Sequence, residues 1–304
     1  MSKDFELKDS LFRKYIIQYK ANLFRLLTAK SLPLFFRGGD GISTEPQVFG
    51  YWEVHIKSLI DHYAQKGFGD FFIDIGANIG LTSCQSGNAF KEVHCFEPNP
   101  DCFSILKINT KLSLSKPLVF LNNYGLGAET NQSNLYVPRE NWGGGFIHDE
   151  NNSYSDSEIG DKDGYEGFSA DNYDVMPIKI ESANEKLSYL FESLLTNNLT
   201  SGFIKIDVEG YEPLIVKSIA QTIPKDFRAV MLFECWTKDF DAQPLIDMFK
   251  GRATAYKLVR SPEKNVNRFI RLLKIIKNFG YVYELKKFNK RSNAADIVFI
   301  IDRG

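Results

Sequence analysis

A glycine-containing loop directly follows the apolar run at 71–75 and is the first candidate for binding chemistry. Its sequence, Asp-Ile-Gly-Ala-Asn-Ile-Gly, spans residues 74–80. Gly76 permits a tight turn close to a ligand, and Gly80 permits close packing of a following helix. The spacing is not Gly-x-Gly-x-x-Gly, and the carboxylate of Asp74 would repel a pyrophosphate held beside it. The loop therefore predicts a cofactor without phosphate, held by Asp74, Gly76, Ala77, Asn78 and Gly80.

A second carboxylate, Glu97, follows the next apolar run and lies 23 positions after Asp74. This interval is close to the roughly 20 residues that separate a glycine loop from an acidic residue binding both ribose hydroxyls. S-adenosylmethionine combines a ribose with a cationic sulfonium and ammonium and carries no phosphate, so both carboxylates suit it. We therefore predict S-adenosylmethionine as the cofactor, with Glu97, Pro98 and Asn123 among the residues that contact it.

Residues 204–210, Ile-Lys-Ile-Asp-Val-Glu-Gly, carry the main candidates for catalysis. In a strand, alternation places Lys205, Asp207 and Glu209 on one side, and a buried lysine requires a charged partner. A carboxylate in this position is a candidate general base for a hydroxyl acceptor, a role that contributes about 10²–10⁴-fold to the rate. Asp207 is also a candidate for cofactor binding. Glu234, at the end of the next apolar run, completes the catalytic candidates.

These motifs require a sheet that brings several strand ends to one edge. Apolar runs alternate with amphipathic segments from residue 69 onwards, which predicts a Rossmann-like, doubly wound, mainly parallel α/β sheet with helices on both faces. We divide the chain into an N-terminal helical segment, 1–68, and a main domain, 69–304. The main domain contains an acidic stretch at 149–174, with nine acidic residues against Lys162 alone, and we interpret it as a solvated loop insertion.

Two further segments stand out by charge or by an apolar pattern. Residues 11–30 repeat apolar side chains at three- and four-residue steps, which predicts a helix. We expect it to pack in the core or against a second copy rather than on a membrane. Residues 257–291 contain eleven Lys or Arg against two Glu, with a helical apolar pattern between 266 and 276. An ordinary surface helix is the favoured interpretation, and a docking face for an anionic acceptor is the alternative.

Composition narrows the classes of protein that fit. The 304 residues are 43% hydrophobic and 25% charged, and the net charge of -1 provides no overall field that favours nucleic acid. The four cysteines form no Cys-x-x-Cys pair, and no apolar run is long enough to span a bilayer. The first residues lack an apolar signal segment. We therefore expect a cytoplasmic protein with reduced thiols, and a homodimer remains open.

The sequence resembles the FkbM family of methyltransferases. The matching segments are DIGANIG (74–80), FEP (96–98), KIDVEGYE (205–212) and LFE (232–234). The resemblance implies a class I methyltransferase fold and O-methylation of a hydroxyl on a sugar, glycolipid or polyketide. It also implies that residues 51–53 border the active cleft and that the Asn/Gly-rich loop at 141–145 lies near the cofactor. The family's Leu-Asp pair has no counterpart at 180–184, where the sequence is Ile-Glu-Ser-Ala-Asn.

Three alternatives carry less weight. A nicotinamide-dependent oxidoreductase is disfavoured by Asp74 and by the missing Gly-x-Gly-x-x-Gly. A non-catalytic adenosylmethionine-binding module would lack the polar groups at the strand ends, and these are present. A magnesium site built from Asp207, Glu209 and Glu234 has suitable oxygen ligands, but Lys205 would compete with the cation, so we predict no metal. The expected partner is a small-molecule or glycan hydroxyl acceptor.

Overall fold

The computed structural model describes residues 11–28, 32–38, 41–139, 141–235, 240–262, 281–287 and 295–304. Its helices are α1 (Leu11–Thr28), α2 (Gly41–Phe49), α3 (Val54–Gln65), α4 (Leu81–Ser86), α5 (Pro100–Ser113), α6 (Asp156–Asp163), α7 (Ala183–Thr196), α8 (Glu212–Thr222) and α9 (Gln243–Met248). Its strands are β1 (Phe71–Ile75), β2 (Glu92–Phe96), β3 (Leu118–Asn122), β4 (Gly125–Gly127), β5 (Asn131–Pro138), β6 (Phe146–Ile147), β7 (Tyr173–Ser182), β8 (Ser201–Ile206), β9 (Arg228–Cys235), β10 (Ala253–Pro262), β11 (Tyr281–Lys287) and β12 (Ala295–Ile301).

The main sheet has eight strands in the order β11-β10-β12-β9-β8-β1-β2-β3. Strands β3, β2, β1, β8 and β9 are parallel to one another, whereas β12 is antiparallel to both β9 and β10. The winding direction reverses at β1, because β2 and β3 lie on one side of it and β8 and β9 on the other. The crevice at the carboxyl ends of β1 and β8 is therefore the expected ligand site. The prediction of a doubly wound, mainly parallel sheet is confirmed.

Helices cover both faces of this sheet because neighbouring strand residues point to opposite sides. Phe71 and Ile73 of β1 belong to a core cluster that includes buried residues of α7, α8 and α9. Phe72, between them in sequence, belongs to a second cluster that includes Ile56 and Ile60 of α3. The predicted helices on both faces are thus confirmed. Helix α3, which the sequence-based division places in the N-terminal segment, packs in the same cluster as β1.

A second, smaller sheet has the order β4-β7-β5-β6, and most of the acidic stretch connects its strands β6 and β7. Our interpretation of residues 149–174 as a solvated loop is wrong for a large part of the stretch. Helix α6 begins with a capping box formed by Ser155 and Glu158, and its Ile159 is buried with Phe146 and Tyr173. A local aromatic cluster therefore gives this acidic stretch a packed core of its own, which its composition concealed.

The outer segments also differ from expectation. Helix α1 forms as predicted, but residues 15–26 are exposed, so the expectation of core packing is wrong. Strands β10 and β11 occupy the two ends of the basic segment and were not predicted, because their Lys and Arg residues interrupt any continuous apolar run. The helix expected between 266 and 276 lies outside the described residues. Within the described chain, no helix has the length and apolar character needed to cross a bilayer.

Candidate active site

The loop after β1 is held in an unusual backbone conformation. Gly76 has φ 85°, and a Cβ on it would lie 1.7 Å from the backbone oxygen of Asp207, so only glycine fits. Gly80 has φ 86° and directly precedes α4, where a Cβ would lie 2.6 Å from Leu106. The two glycines thus let the loop pass close to the end of β8 on one side and to α5 on the other.

Asp74 lies beneath this loop and is fully buried. Its Oδ2 accepts a hydrogen bond from the Ser83 hydroxyl at 2.5 Å, and its Oδ1 accepts none from the described residues. Burial raises the pKa of Asp74, while Lys205, its neighbour across β1 and β8, opposes that rise. Asp74 is outside the lining of both pockets described below, so its direct contact with a cofactor stays a prediction.

Glu97 connects the end of β2 to the loop after β1. One of its oxygens accepts the Asn78 backbone N–H at 2.7 Å, and the other accepts the Asn99 backbone N–H at 2.8 Å. Burial raises the pKa of Glu97 to about 7, although both N–H groups oppose the rise. Asn123 donates its side-chain amide to the Glu97 backbone carbonyl at 2.9 Å and so fixes the end of β2. Each carboxylate oxygen keeps a further lone pair for a ligand hydroxyl.

Two adjoining pockets open at this edge of the sheet. The first, which we call the inner pocket, has mostly apolar walls and contains neither Lys nor Arg among the described residues that line it. Its lining includes Asn78, Glu97, Pro98, Tyr124, Leu126, Trp142, Gly143, Phe146 and Asp207. The loop at 141–145 therefore lies beside it, as the family resemblance implies. Asn78 also presents a buried side-chain oxygen that accepts no hydrogen bond from the described residues.

The second pocket, which we call the acidic cleft, shares Gly76, Asn78, Gly143 and Asp207 with the inner pocket. Its charged lining residues are Glu53, Lys162, Lys205, Asp207, Glu209 and Glu234. Two ion pairs cross it: Lys205 Nζ lies 2.7 Å from Asp207 Oδ2, and Lys162 Nζ lies 2.8 Å from Glu209 Oε2. Burial lowers the pKa of Lys205, but Asp207, Asp74 and Glu53 together raise it overall. Both lysines therefore remain cationic.

The remaining two carboxylates of the cleft, Glu53 and Glu234, form no ion pair or hydrogen bond with another described side chain. Burial and the nearby charges of Asp207 and Glu209 raise the pKa of Glu234 to about 8. Burial likewise raises the pKa of Glu53, against the attraction of Lys205. A carboxyl group whose pKa lies near neutrality can exchange a proton with a ligand under ordinary conditions.

Backbone strain is concentrated around the acidic cleft. Glu53, Asn78 and Glu209 have φ values of 42°, 50° and 53°, a region that residues with a side chain rarely adopt. All three line the cleft, and each costs of the order of 1–3 kcal/mol unless the surroundings compensate. Such strain is typical of functional sites, where the orientation of a side chain matters more than local stability.

Neighbouring elements hold the strained loop after β8 in place. Glu212, at the start of α8, accepts the backbone N–H groups of Val208 and Gly210 at 3.0 and 2.9 Å. Asn152 of the acidic stretch donates to the Glu209 carbonyl at 3.0 Å. The acidic stretch therefore supports the loop and also supplies Lys162 to the cleft.

The structure brings most of the predicted site residues together. The predicted residues that line at least one of the two pockets are Gly76, Ala77, Asn78, Glu97, Pro98, Lys205, Asp207, Glu209 and Glu234. Gly80 and Asn123 act on the backbone nearby and are outside the lining. Among the described residues, no group of three or more His, Cys, Asp or Glu side chains is placed to hold a metal ion.

Sequence reasoning missed Lys162 and Glu212, and it reached Glu53 only through the family resemblance. His148 lies outside both pocket linings. Its ring stacks on Phe168, and its Nε2 shares a hydrogen bond with Asp156 Oδ1 at 2.8 Å. A lone Lys in a strongly acidic stretch was the one available signal for Lys162, because such a residue is a natural partner for a carboxylate elsewhere.

The strand order is that of the class I methyltransferase fold, and the family match makes the protein an S-adenosylmethionine-dependent methyltransferase. The methyltransferase FkbM domain matches residues 74–283, more than half of the chain. The chain therefore belongs to the FkbM methyltransferase family. No curated relative matches it at a significant level.

Solved structures of several methyltransferases are similar to the chain at low sequence identity. An O-methyltransferase from Bacillus cereus in complex with SAH is 10% identical, with 98% of this chain and 94% of that chain covered and a TM-score of 0.38. The precorrin-6y C5,15-methyltransferase from Geobacter metallireducens is 12% identical, with coverage of 82% and 89% and a TM-score of 0.35. The tRNA m1G37 methyltransferase from M. jannaschii is 10% identical, with coverage of 89% and 52% and a TM-score of 0.35.

Proposed function

We propose that the protein transfers the methyl group of S-adenosylmethionine to a hydroxyl of a sugar, glycolipid or related natural product. The observation that carries the proposal is that the inner pocket and the acidic cleft meet at Gly76, Asn78 and Asp207. A cofactor in the inner pocket and an acceptor in the cleft would therefore be in contact at this junction.

The inner pocket fits S-adenosylmethionine in its chemistry. Glu97 has carboxylate lone pairs for the two ribose hydroxyls, and its apolar neighbours suit a flat base. The unpartnered Asn78 oxygen and the nearby carboxylates suit the cofactor's ammonium and sulfonium groups. The absence of Lys and Arg from the described lining argues against a cofactor with a pyrophosphate. When bound, S-adenosylmethionine supplies an electrophilic methyl group.

Glu234 is the general base in this proposal. Asp207 and Glu209 are each ion-paired with a lysine, so both carboxylates are already engaged within the cleft. Glu234 has no such partner among the described residues and has a pKa of about 8. It would accept the proton of the acceptor hydroxyl, while the new oxygen–carbon bond replaces the carbon–sulfur bond of the sulfonium and S-adenosylhomocysteine is left. Lys205, held by Asp207, would orient the acceptor oxygen.

The charge of the cleft limits the acceptor. Four carboxylates and two ammonium groups line it, so the part of the acceptor next to the methyl group is best neutral. This supports a polyhydroxylated acceptor and argues against a phosphate group or nucleic acid backbone at that position. An anionic portion of the acceptor, if present, would have to lie outside the cleft.

The test is methyl transfer from isotopically labelled S-adenosylmethionine to a panel of sugar, glycolipid, polyketide and amine acceptors, read by mass spectrometry. The proposal predicts labelled methyl ethers that resist mild acid and base. Label only on nitrogen or carbon, or label only on nucleic acid in a parallel reaction, would contradict it. Loss of product formation in Glu234→Gln, with cofactor binding retained, would assign the cleft to the reaction.

A further inference from the structure

Helix α1 is the largest exposed apolar element among the described residues and has no role in the proposed reaction. Tyr15, Tyr19 and Leu26 are 73%, 69% and 74% exposed. A folded chain rarely leaves so many large apolar side chains of one helix in water, and a contiguous patch of this kind marks an interaction surface. The question is therefore which partner covers α1.

The exposed apolar residues of α1 form a stripe. With 3.6 residues per turn, Tyr15, Ile16, Tyr19, Leu23 and Leu26 fall within an arc of about 100°. We call these five residues the apolar stripe. Two other exposed apolar residues, Ile17 and Phe24, lie off it. A long apolar stripe of this kind on an exposed helix is the pattern of a helix that lies along an interface.

The charges of α1 indicate the chemistry of that interface. Its sequence contains the basic residues Arg13, Lys14, Lys20 and Arg25 and no acidic residue. Lys20 and Arg25 are exposed and lie about 100° and 120° from Tyr19, one on each side of the apolar stripe. Two copies of α1 packed together would bring like charges close without an acidic residue to pair them. A surface of anionic lipid headgroups, in contrast, would pair with the exposed Lys20 and Arg25.

We propose that α1 binds the surface of an anionic membrane, with its axis in the plane of the headgroups. The apolar stripe enters the boundary between headgroups and acyl chains, where tyrosine is a favoured residue. Lys20 and Arg25 extend from the margins of the stripe to the lipid phosphates. No membrane span is required, in agreement with the absence of a sufficiently apolar helix from the described chain.

Co-sedimentation of the full-length protein with vesicles tests this proposal. Vesicles of phosphatidylcholine alone are compared with vesicles of phosphatidylcholine and phosphatidylglycerol, at low and high salt. We expect binding to the mixed vesicles, much weaker binding to phosphatidylcholine alone, and a decline at high salt because surface charges are screened. Lys20→Glu with Arg25→Glu is expected to weaken binding by about tenfold or more, and so is Tyr19→Glu with Leu23→Glu.

Helix α5 offers matched controls for both double variants. Ile108 and Leu112 are 46% and 50% exposed and have the same four-residue spacing as Tyr19 and Leu23. Lys107 and Lys111 are exposed on the same helix, and reversing both changes the net charge by the same amount as the α1 pair. Glutamate at either α5 pair is expected to leave vesicle binding unchanged. Circular dichroism and thermal unfolding verify that all variants remain folded.

Three outcomes would overturn the proposal. One is equal binding to both kinds of vesicle, or to neither. Another is that the α5 variants weaken binding as much as the α1 variants do. The third is a dimer in sedimentation equilibrium without lipid that Tyr19→Glu with Leu23→Glu dissociates, because α1 would then cover a second copy of the chain. None of these readouts depends on methyl transfer, so the proposed function stands or falls separately.

Discussion

The inner pocket and the acidic cleft share one junction but differ in how their carboxylates are held. In the inner pocket, Glu97 accepts two backbone N–H groups and sits among apolar walls. In the acidic cleft, Glu234 has no described side-chain partner and faces other carboxylates. A satisfied carboxylate is suited to hold a ligand in a fixed position. A carboxylate without such hydrogen-bond partners is suited to take up a proton from a ligand, so the two regions divide binding from chemistry.

The largest expected effect is that of Glu234→Gln on turnover. The variant keeps the shape of the side chain but removes its basicity, and the rate with the best acceptor from the panel is expected to fall by about 10²–10⁴-fold. The affinity for S-adenosylmethionine, measured by calorimetry, is expected to stay the same. Glu92→Gln is the matched control, because Glu92 is a buried carboxylate at the opposite end of β2. Full activity in Glu234→Gln would contradict the assignment of the general base to the acidic cleft.

Glu97→Gln tests the other region. The amide nitrogen would face a backbone N–H that now donates to a carboxylate oxygen, and one acceptor for the ribose is lost. We expect S-adenosylmethionine affinity to fall by roughly ten- to a hundredfold, the usual loss for hydrogen bonds to a charged group. Turnover at saturating cofactor is expected to change much less. A variant with normal affinity and impaired turnover would place Glu97 in the chemistry instead.

Gly76→Ala tests the junction itself, with Gly251→Ala as its control. The two glycines have similar φ values, 85° and 83°, but a Cβ on Gly251 meets no atom within 4 Å. Both variants carry the cost of the left-handed conformation, and only Gly76→Ala also collides with Asp207. We expect it to lower the free energy of unfolding by a further ~1–3 kcal/mol. If urea denaturation shows that both variants lose the same free energy of unfolding, the backbone at the junction accommodates the added methyl group.

The smallest expected effect is on stability as a function of pH. The pKa of Glu234 is about 8 when folded, against an ordinary value of 4.5, so the folded state binds more protons between these values. Its contribution to the free energy of unfolding therefore falls as pH rises through this window. Glu234→Gln cannot ionise and is expected to lack that decline. The free energy of unfolding of the variant, relative to that of the parent, should therefore rise by about 1 kcal/mol or more between acidic and alkaline pH.

The contrast between the regions also explains what sequence reasoning could reach. The loop at 74–80, Glu97 and the Lys205–Asp207 pair follow apolar runs, and parallel strands bring such positions to one edge of a sheet. Local sequence was therefore enough to predict that these residues lie at one edge of the sheet. Strand alternation also placed Lys205 and Asp207 together, and the structure joins them in an ion pair.

Two charged residues of the acidic cleft, Glu53 and Lys162, could not be assigned to it from local sequence patterns. Glu53 precedes α3, and its place in the cleft depends on how α3 packs on the sheet. Lys162 reaches the cleft because aromatic packing folds the acidic stretch back over it. Strands β10 and β11 were missed for a related reason: half-exposed antiparallel strands mix charged and apolar residues, so tertiary pairing and not periodicity reveals them.

The pH dependence of kcat/KM for the acceptor, at saturating S-adenosylmethionine, tests the assignment of Glu234 most directly. The account predicts a rise with a slope of one in log units to a plateau above about pH 8, because the base must be ionised. It also predicts that Asp207→Asn moves the midpoint to lower pH, since Asp207 is a like charge that raises the pKa of Glu234. A profile that stays flat well below pH 8, or a midpoint unmoved by Asp207→Asn, would contradict the account.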